Sequence, residues 1–148
     1  MKSKYIYSLL VLFMLSFLLS GGSNVAVKEE DFNLTVEINK NDFVYGEEII
    51  VEAKFVNLSN ERIKINYSGS TDISSIINFY IYKEGEQPDL TGISNSVEGI
   101  LKKNDVITNK RVFLNYDKGK YHAFALVHFI HNDVGLTLKS DVLNFVIS

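Results

Sequence analysis

A chain of 148 residues, 46% hydrophobic and 22% charged, is long enough for one domain with a substantial core, and this composition excludes a disordered chain. The formal charge of −3 argues against the basic surface of a nucleic-acid-binding protein. The absence of cysteine excludes disulfide bonds, thiolate metal sites and thiol nucleophiles.

The first segment has the pattern of a secretory signal peptide. Lys2 and Lys4 precede a predominantly apolar run from Ile6 to Leu19, and small residues follow it. The run is shorter than the roughly 20 residues that span a bilayer, so a membrane anchor is the less favoured alternative. We therefore expect residues 1–22 to be a cleaved leader and 23–31 a polar tether. The expected location is extracytoplasmic, secreted or associated with the cell surface.

The cleavage region resembles the lipobox of bacterial lipoproteins. Leu19-Ser20-Gly21 has the lipobox pattern, and Gly22 stands where the lipid-bearing cysteine would be. Without a thiol at position 22 this chain cannot form the thioether to a lipid. We expect contact with a membrane only if the leader is retained or if cysteine replaces Gly22.

Alternation of apolar and polar residues predicts strands from residue 32 onwards. The predicted strands, in chain order, cover residues 32–38, 49–57, 61–67, 76–82, 106–114, 121–130, 136–138 and 143–147. The segment Gln87–Asn104 has no clear period and predicts a long surface loop. The apolar parity changes near Ser140-Asp141, which predicts a bulge or two short strands. No helical period occurs beyond the leader, so the chain is expected to be all-β.

The turn Asp117-Lys118-Gly119-Lys120-Tyr121, which enters a long apolar run, is typical of the tyrosine corner of immunoglobulin-like sandwiches. In that corner the tyrosine hydroxyl bonds back to the turn. Residues 32–148 are therefore predicted to form an immunoglobulin-like antiparallel β-sandwich of about 7–8 strands, with a β-barrel as the alternative. Ala53 and Ala123 would face each other in the core, closed by Phe55 and Tyr80.

Four stretches of the chain form a recognisable set of short motifs: Val56-Asn57-Leu58-Ser59-Asn60 before Ile63-Lys64-Ile65, then Phe79-Tyr80-Ile81-Tyr82-Lys83-Glu84-Gly85, Leu101-Lys102-Lys103-Asn104-Asp105 and Gly119-Lys120-Tyr121. Together these motifs resemble the intracellular proteinase inhibitor family, whose members are bacterial Ig-like β-sandwich domains. The resemblance implies the sandwich fold and, as a function, inhibition of a proteinase.

No catalytic motif of the common hydrolases or nucleotide-binding proteins is present in the sequence. His122 and His128 share a strand face but are separated by about 20 Å, so they cannot bind one ion together. His128, His131 and Asp133 could meet around one turn, although polar residues at a strand end are the simpler interpretation. We expect no catalytic, cofactor or metal site.

The even-numbered residues of the strand after Tyr121 provide the candidate interaction surface. Because Tyr121 points into the core, Phe124, Leu126 and Ile130 must lie on the opposite face, where the other strands show polar side chains. An apolar patch there indicates an interface. The alternative is that the long loop covers it, through Leu90, Ile93, Val97 or Ile100.

These features predict an exported, non-enzymatic binding module with a protein or cell-envelope partner and no nucleic acid. The alternatives are a structural subunit that assembles edge to edge or with another envelope protein, and a small metal-dependent enzyme.

Overall fold

The computed structural model describes residues 26–90 and 95–148, and these residues confirm the predicted all-β fold. In chain order the strands are β1 (Phe32–Ile38), β2 (Asp42–Phe43), β3 (Ile49–Asn57), β4 (Ile63–Ser68), β5 (Ile77–Lys83), β6 (Ser96–Leu101), β7 (Val106–Phe113), β8 (Gly119–His131), β9 (Val134–Lys139) and β10 (Leu143–Ile147). Two short 3-10 helices, Glu29–Asp31 and Ile73–Ile76, complete the regular structure of the described ranges.

The strands form two facing sheets. The first has the order β1-β3-β7, and the second has the order β2-β10-β8-β4-β6, with β5 and β9 also paired to β8. These sheets correspond to strands A, B and E and to strands G, F and C of an immunoglobulin-like sandwich. The pairs are antiparallel except β2 with β10, which is parallel because the chain crosses to the second sheet after β1.

β8 is the central strand of the second sheet, and its neighbours on both sides are interrupted. β4 and β5 pair with successive parts of β8 on one side, and β9 and β10 do so on the other. The described residues therefore contain ten strands rather than the predicted seven or eight. The break between β9 and β10 falls at the predicted parity change, where Ser140 bonds to Ala125 through its backbone N–H (3.0 Å) and its Oγ (2.9 Å).

The core lies between the sheets and contains the apolar side of every long strand. Phe55 is fully buried as predicted and stacks on Phe32, with ring centroids 5.6 Å apart. Ala53 and Ala123 are also fully buried. The prediction for Tyr80 is wrong: Phe79 is the β5 ring in the core, because large side chains occupy both faces of β5 and hide the parity.

The hydrogen bond predicted for the tyrosine corner is present. The Tyr121 hydroxyl donates to the backbone carbonyl of Asp117 at 2.9 Å. Its ring is buried and stacks on Phe145, with centroids 5.5 Å apart. Gly119 has φ of +154°, and a Cβ there would lie 2.6 Å from the Lys83 side chain, so the turn favours glycine.

The segment Gln87–Asn104, predicted as a loop, contains β6. Its alternation is obscured because an inward position is occupied by Gly99 and an outward one by Ile100. A Cβ at Gly99 would lie 2.9 Å from the Tyr67 ring, so the ring of β4 fills the space of the missing side chain. The connection from β5 to β6 is correspondingly shorter than expected.

The described part of the predicted tether is attached to the sandwich. Residues Glu29–Asp31 form a 3-10 turn, and the carbonyl of Asp31 accepts a hydrogen bond from the backbone N–H of Leu58 at 2.8 Å. Val27 packs against the core. The predicted leader, residues 1–22, lies outside the described residues.

One buried polar side chain, Asn57, joins two turns at the same end of the sandwich. Its Nδ2 donates to the carbonyls of Lys102 (2.9 Å) and Glu61 (3.3 Å). Its Oδ1 accepts from the backbone N–H and the hydroxyl of Ser59, at 3.1 and 2.7 Å. A fully buried amide is tolerated here because each of its groups is bonded.

Candidate functional site

The outer face of the second sheet is formed by the even-numbered residues of β8 and by their neighbours on β5, β9 and β10. Cross-strand register places Tyr80 beside Phe124, Tyr82 beside His122, and Thr137 beside His128. The strand alternation that sends Tyr121 into the core thus sends this set outward.

An aromatic row crosses this face. Tyr80 stacks on Phe124 with centroids 5.1 Å apart, and Tyr82 contacts Phe124 edge-on at 6.1 Å. Tyr82 also packs on the ring of His122 at 5.1 Å. The ammonium of Lys139 lies 4.2 Å from the Phe124 centroid, which is a favourable cation–π distance.

The candidate interaction surface required an exposed Phe124. Only 2% of this residue is accessible, so it is not an exposed contact residue. Among the described residues its cover comes from Tyr80, Tyr82 and Lys139 on the adjacent strands. Sequence reasoning missed this cover because register between strands cannot be read from alternation within one strand.

The other four residues of the predicted interaction surface differ from Phe124 in exposure or lie outside the described residues. Leu126 is half-buried, Ile130 is 41% exposed and Leu90 is 55% exposed. Ile93 lies outside the described residues. Leu90 and Leu126 line one groove, whereas Ile130 lies farther along β8, beside Asn66 and Gly135. The structure thus brings two of the five predicted residues together.

That depression, called the outer groove, has a volume of about 260 Å³. It lies where β4 gives way to β5 beside β8. Its described lining consists of Ser68, Asn78, Tyr80, Leu90, Leu126, His128 and Thr137. The depression lies beside the interruption of this strand pair, with Ser68 from the end of β4 and Asn78 and Tyr80 from β5 in its lining.

Polar groups converge on the outer groove. His128 Nδ1 lies 2.7 Å from Thr137 Oγ1, and Asn78 Nδ2 donates to the carbonyl of Ile76 at 3.3 Å. Burial, together with the negative charge of Asp89, raises the pKa of the Tyr80 hydroxyl above its ordinary value, so this hydroxyl is protonated at neutral pH. The groove therefore combines an aromatic ring and two leucines with hydroxyl, amide and imidazole groups.

A second, more polar depression of about 400 Å³ lies at the other end of the same face. His122 Nδ1 and Asn144 Oδ1 are 2.6 Å apart there, and Lys120 pairs with Glu84 at 3.8 Å. The polar groups that line it are thus largely engaged with one another.

The histidines at the end of β8 form hydrogen bonds within the protein. His131 Nδ1 lies 2.7 Å from the carbonyl of Lys64, and its Nε2 lies 3.0 Å from the Asn132 amide. In residues 26–90 and 95–148 no three His, Cys, Asp or Glu side chains are grouped as metal ligands. The same ranges contain no helix long and apolar enough to cross a membrane.

Strand order, corner and core together define an immunoglobulin-like β-sandwich. No protein-family model matches the sequence, and no curated protein does. The resemblance to the proteinase inhibitor family therefore remains an expectation.

Among solved structures the chain is similar to a β-glucosidase from Listeria innocua, with a TM-score of 0.45 and 12% identity over 78% of this chain and 16% of that chain. It is also similar to the sporulation control protein Spo0M from Bacillus subtilis, with a TM-score of 0.45 and 8% identity over 80% and 49%. A third similar structure is the ASH/PapD-like domain of human CEP192, with a TM-score of 0.40 and 17% identity over 88% and 95%. At these identities and TM-scores the comparisons add nothing to the fold assignment.

Proposed function

We propose that this chain is an exported, non-enzymatic binding module whose recognition site is the outer groove. The observation that carries the proposal is the convergence of an aromatic ring, two leucines and several polar groups in one depression on the outer face of a sheet. A concave, mostly apolar site with a few placed polar groups is the usual form of a ligand site.

Export is supported by the sequence alone, through Lys2, Lys4 and the apolar run to Leu19. A partner in the cell envelope or outside the cell follows from that location. The sequence contains no common catalytic motif, which favours binding over catalysis.

A photo-crosslinking amino acid at position 126 tests the site. In the exported protein on intact cells, we expect it to yield a crosslinked adduct in the envelope. The same amino acid at position 112 is the control, because Val112 is exposed on the outer face of the first sheet. Equal crosslinking at both positions, or none at 126, would contradict the proposal.

Inhibition of a proteinase is the finer function implied by the family resemblance. It is tested by adding the purified chain to serine and metalloproteinases secreted by the source organism. Inhibition that is lost in Leu126→Lys and kept in Val112→Lys would assign it to the outer groove.

A second candidate function, edge-to-edge assembly, is favoured by β6. Among the described strands β6 pairs only with β4, and Ile100 on it is exposed. An uncovered strand edge is a template for pairing with another chain. Size-exclusion chromatography tests it: a dimer that Ile100→Pro converts to a folded monomer supports assembly, and a wild-type monomer at high concentration refutes it.

A further inference from the structure

We propose that the outer groove binds one ring of a neutral saccharide, with the sugar lying on Tyr80. This inference rests on the proposed binding function and specifies its ligand. It is drawn from the charge, size and shape of the groove.

Charge is the first argument. Hydroxyls, an amide and an imidazole line the groove, from Ser68, Asn78, Thr137 and His128, and its described lining contains no carboxylate, ammonium or guanidinium group. An ionic ligand would lose hydration, and the described lining offers it no permanently charged side chain as a counter-charge. The lining groups that bond within the protein, such as His128 with Thr137, have further donors and acceptors, and a hydrocarbon chain would cover these without pairing them, which costs free energy. A neutral polyol offers both donors and acceptors to match them.

Size is the second argument. Sites for drug-sized ligands have volumes of about 300–1,000 Å³, and the groove, at about 260 Å³, lies just below that range. It therefore suits a single ring with its substituents. Because the groove is open at the surface, the rest of a longer chain could continue outside it.

Tyr80 provides an aromatic platform in the groove. Tyr80 is held by stacking on Phe124, with only 18° between the ring planes. A ring fixed in this way presents a flat surface without losing side-chain entropy on binding. The face of an aromatic ring is electron-rich and attracts the polarised C–H bonds on one face of a pyranose. Hydroxyls at the sugar edge then reach the polar lining of the groove.

An aromatic side chain from a partner protein is the competing occupant. It would stack on Tyr80 equally well, but it carries at most one polar group for a lining that offers at least four. The saccharide satisfies more of the site.

The experiment is an NMR titration of the exported mature protein with glucose, galactose, mannose and N-acetylglucosamine as separate probes. We expect at least one sugar to shift the backbone amide signals of residues 68, 78, 126, 128 and 137. Tyr80→Leu should weaken that binding about tenfold. Tyr82→Leu is the matched control, since Tyr82 also packs on Phe124 but lies outside the groove lining, and it should bind normally.

Shifts confined to other regions, or equal binding by Tyr80→Leu, would overturn the saccharide assignment, as would no shift with any probe. The crosslinking at position 126 then separates the two proposals. An adduct destroyed by periodate oxidation of the envelope supports a saccharide. An adduct destroyed only by protease refutes the saccharide while preserving the binding function, and the absence of any adduct refutes both.

Discussion

At the scale of single residues, stability depends on a few side chains that form hydrogen bonds with the backbone of a neighbouring turn. Tyr121 and Tyr67 each donate a hydroxyl hydrogen bond to a nearby turn carbonyl, at 2.9 Å. The Tyr121 bond was predictable, because the turn before it has a recognisable residue pattern. The role of Asn57 was not, because its partner Lys102 is distant in sequence and comes close only when the two turns meet.

Tyr121 is expected to be a stability residue. Tyr121→Phe removes one hydrogen bond and should lower the free energy of unfolding by about 1 kcal/mol. Tyr121→Ala also removes a buried ring and should cost about 3–5 kcal/mol. Urea unfolding measures both, with Tyr45→Phe as a control because Tyr45 is exposed. A cost below about 0.5 kcal/mol for Tyr121→Ala would refute the role of the corner.

Asn57→Asp keeps the shape of the side chain but replaces its donor with a charged acceptor. The new oxygen would face the carbonyls of Lys102 and Glu61 in a fully buried position. We expect a loss of about 3 kcal/mol or more at pH 7, measured by urea unfolding. Asn60→Asp in the same turn is exposed and should be nearly neutral. Similar values for the two variants would show that the Asn57 bonds contribute little.

At the scale of strands, alternation predicted those whose two faces differ in polarity. β1, β3 and β4 were predictable for this reason. β6 was missed because Gly99 interrupts its inward side, and the parity of β5 was misassigned because Tyr80 and Tyr82 are as large as the core residues beside them. For the site, the outward direction of Leu126 was predictable, but the groove around it is lined by residues of β4, β5 and β9 that come together only in the folded sheet.

Gly99 tests the fit of β6 against β4. A Cβ at this position would lie 2.9 Å from the Tyr67 ring and from Ile73 Cδ1. Gly99→Ala should therefore destabilise the protein by about 1–3 kcal/mol in urea unfolding. Gly135→Ala in β9 is the control, because its nearest contact would be an ordinary 3.6 Å, and it should change stability by less than about 0.5 kcal/mol. If Gly99→Ala is equally mild, the two strands do not pack as described.

At the scale of the whole molecule, three tyrosines make the free energy of unfolding depend on pH in the alkaline range. The pKa values of Tyr80, Tyr116 and Tyr121 are raised, in each case mainly by burial. The folded state therefore holds these phenolic protons more strongly than the unfolded state, whose value is about 10. Their contribution to stability is complete below about pH 10 and is lost as the pH rises through the folded-state values.

The expected result is a fall in the free energy of unfolding above about pH 10, with tyrosinate absorbance rising late in the folded protein. Lysines also titrate in this range, so Tyr121→Phe is the control that isolates one tyrosine. Its decline in stability should be shallower than that of the wild type. Identical slopes would show that Tyr121 does not contribute to the alkaline dependence.

The proposed export determines the compartment in which the outer groove would meet its proposed ligand. If residues 1–22 are a cleaved leader, mass spectrometry of the exported protein should place its N-terminus between Gly21 and Asn24. Recovery of extracellular protein that begins at Met1 would contradict cleavage.

Gly22→Cys should restore the lipobox and move the protein into the detergent phase when it is expressed in a lipoprotein-competent host. Gly22→Ser is the control, because a hydroxyl at the same position cannot form the thioether to a lipid and should leave the protein water-soluble. A soluble Gly22→Cys protein would refute the lipobox interpretation and leave secretion as the expected outcome.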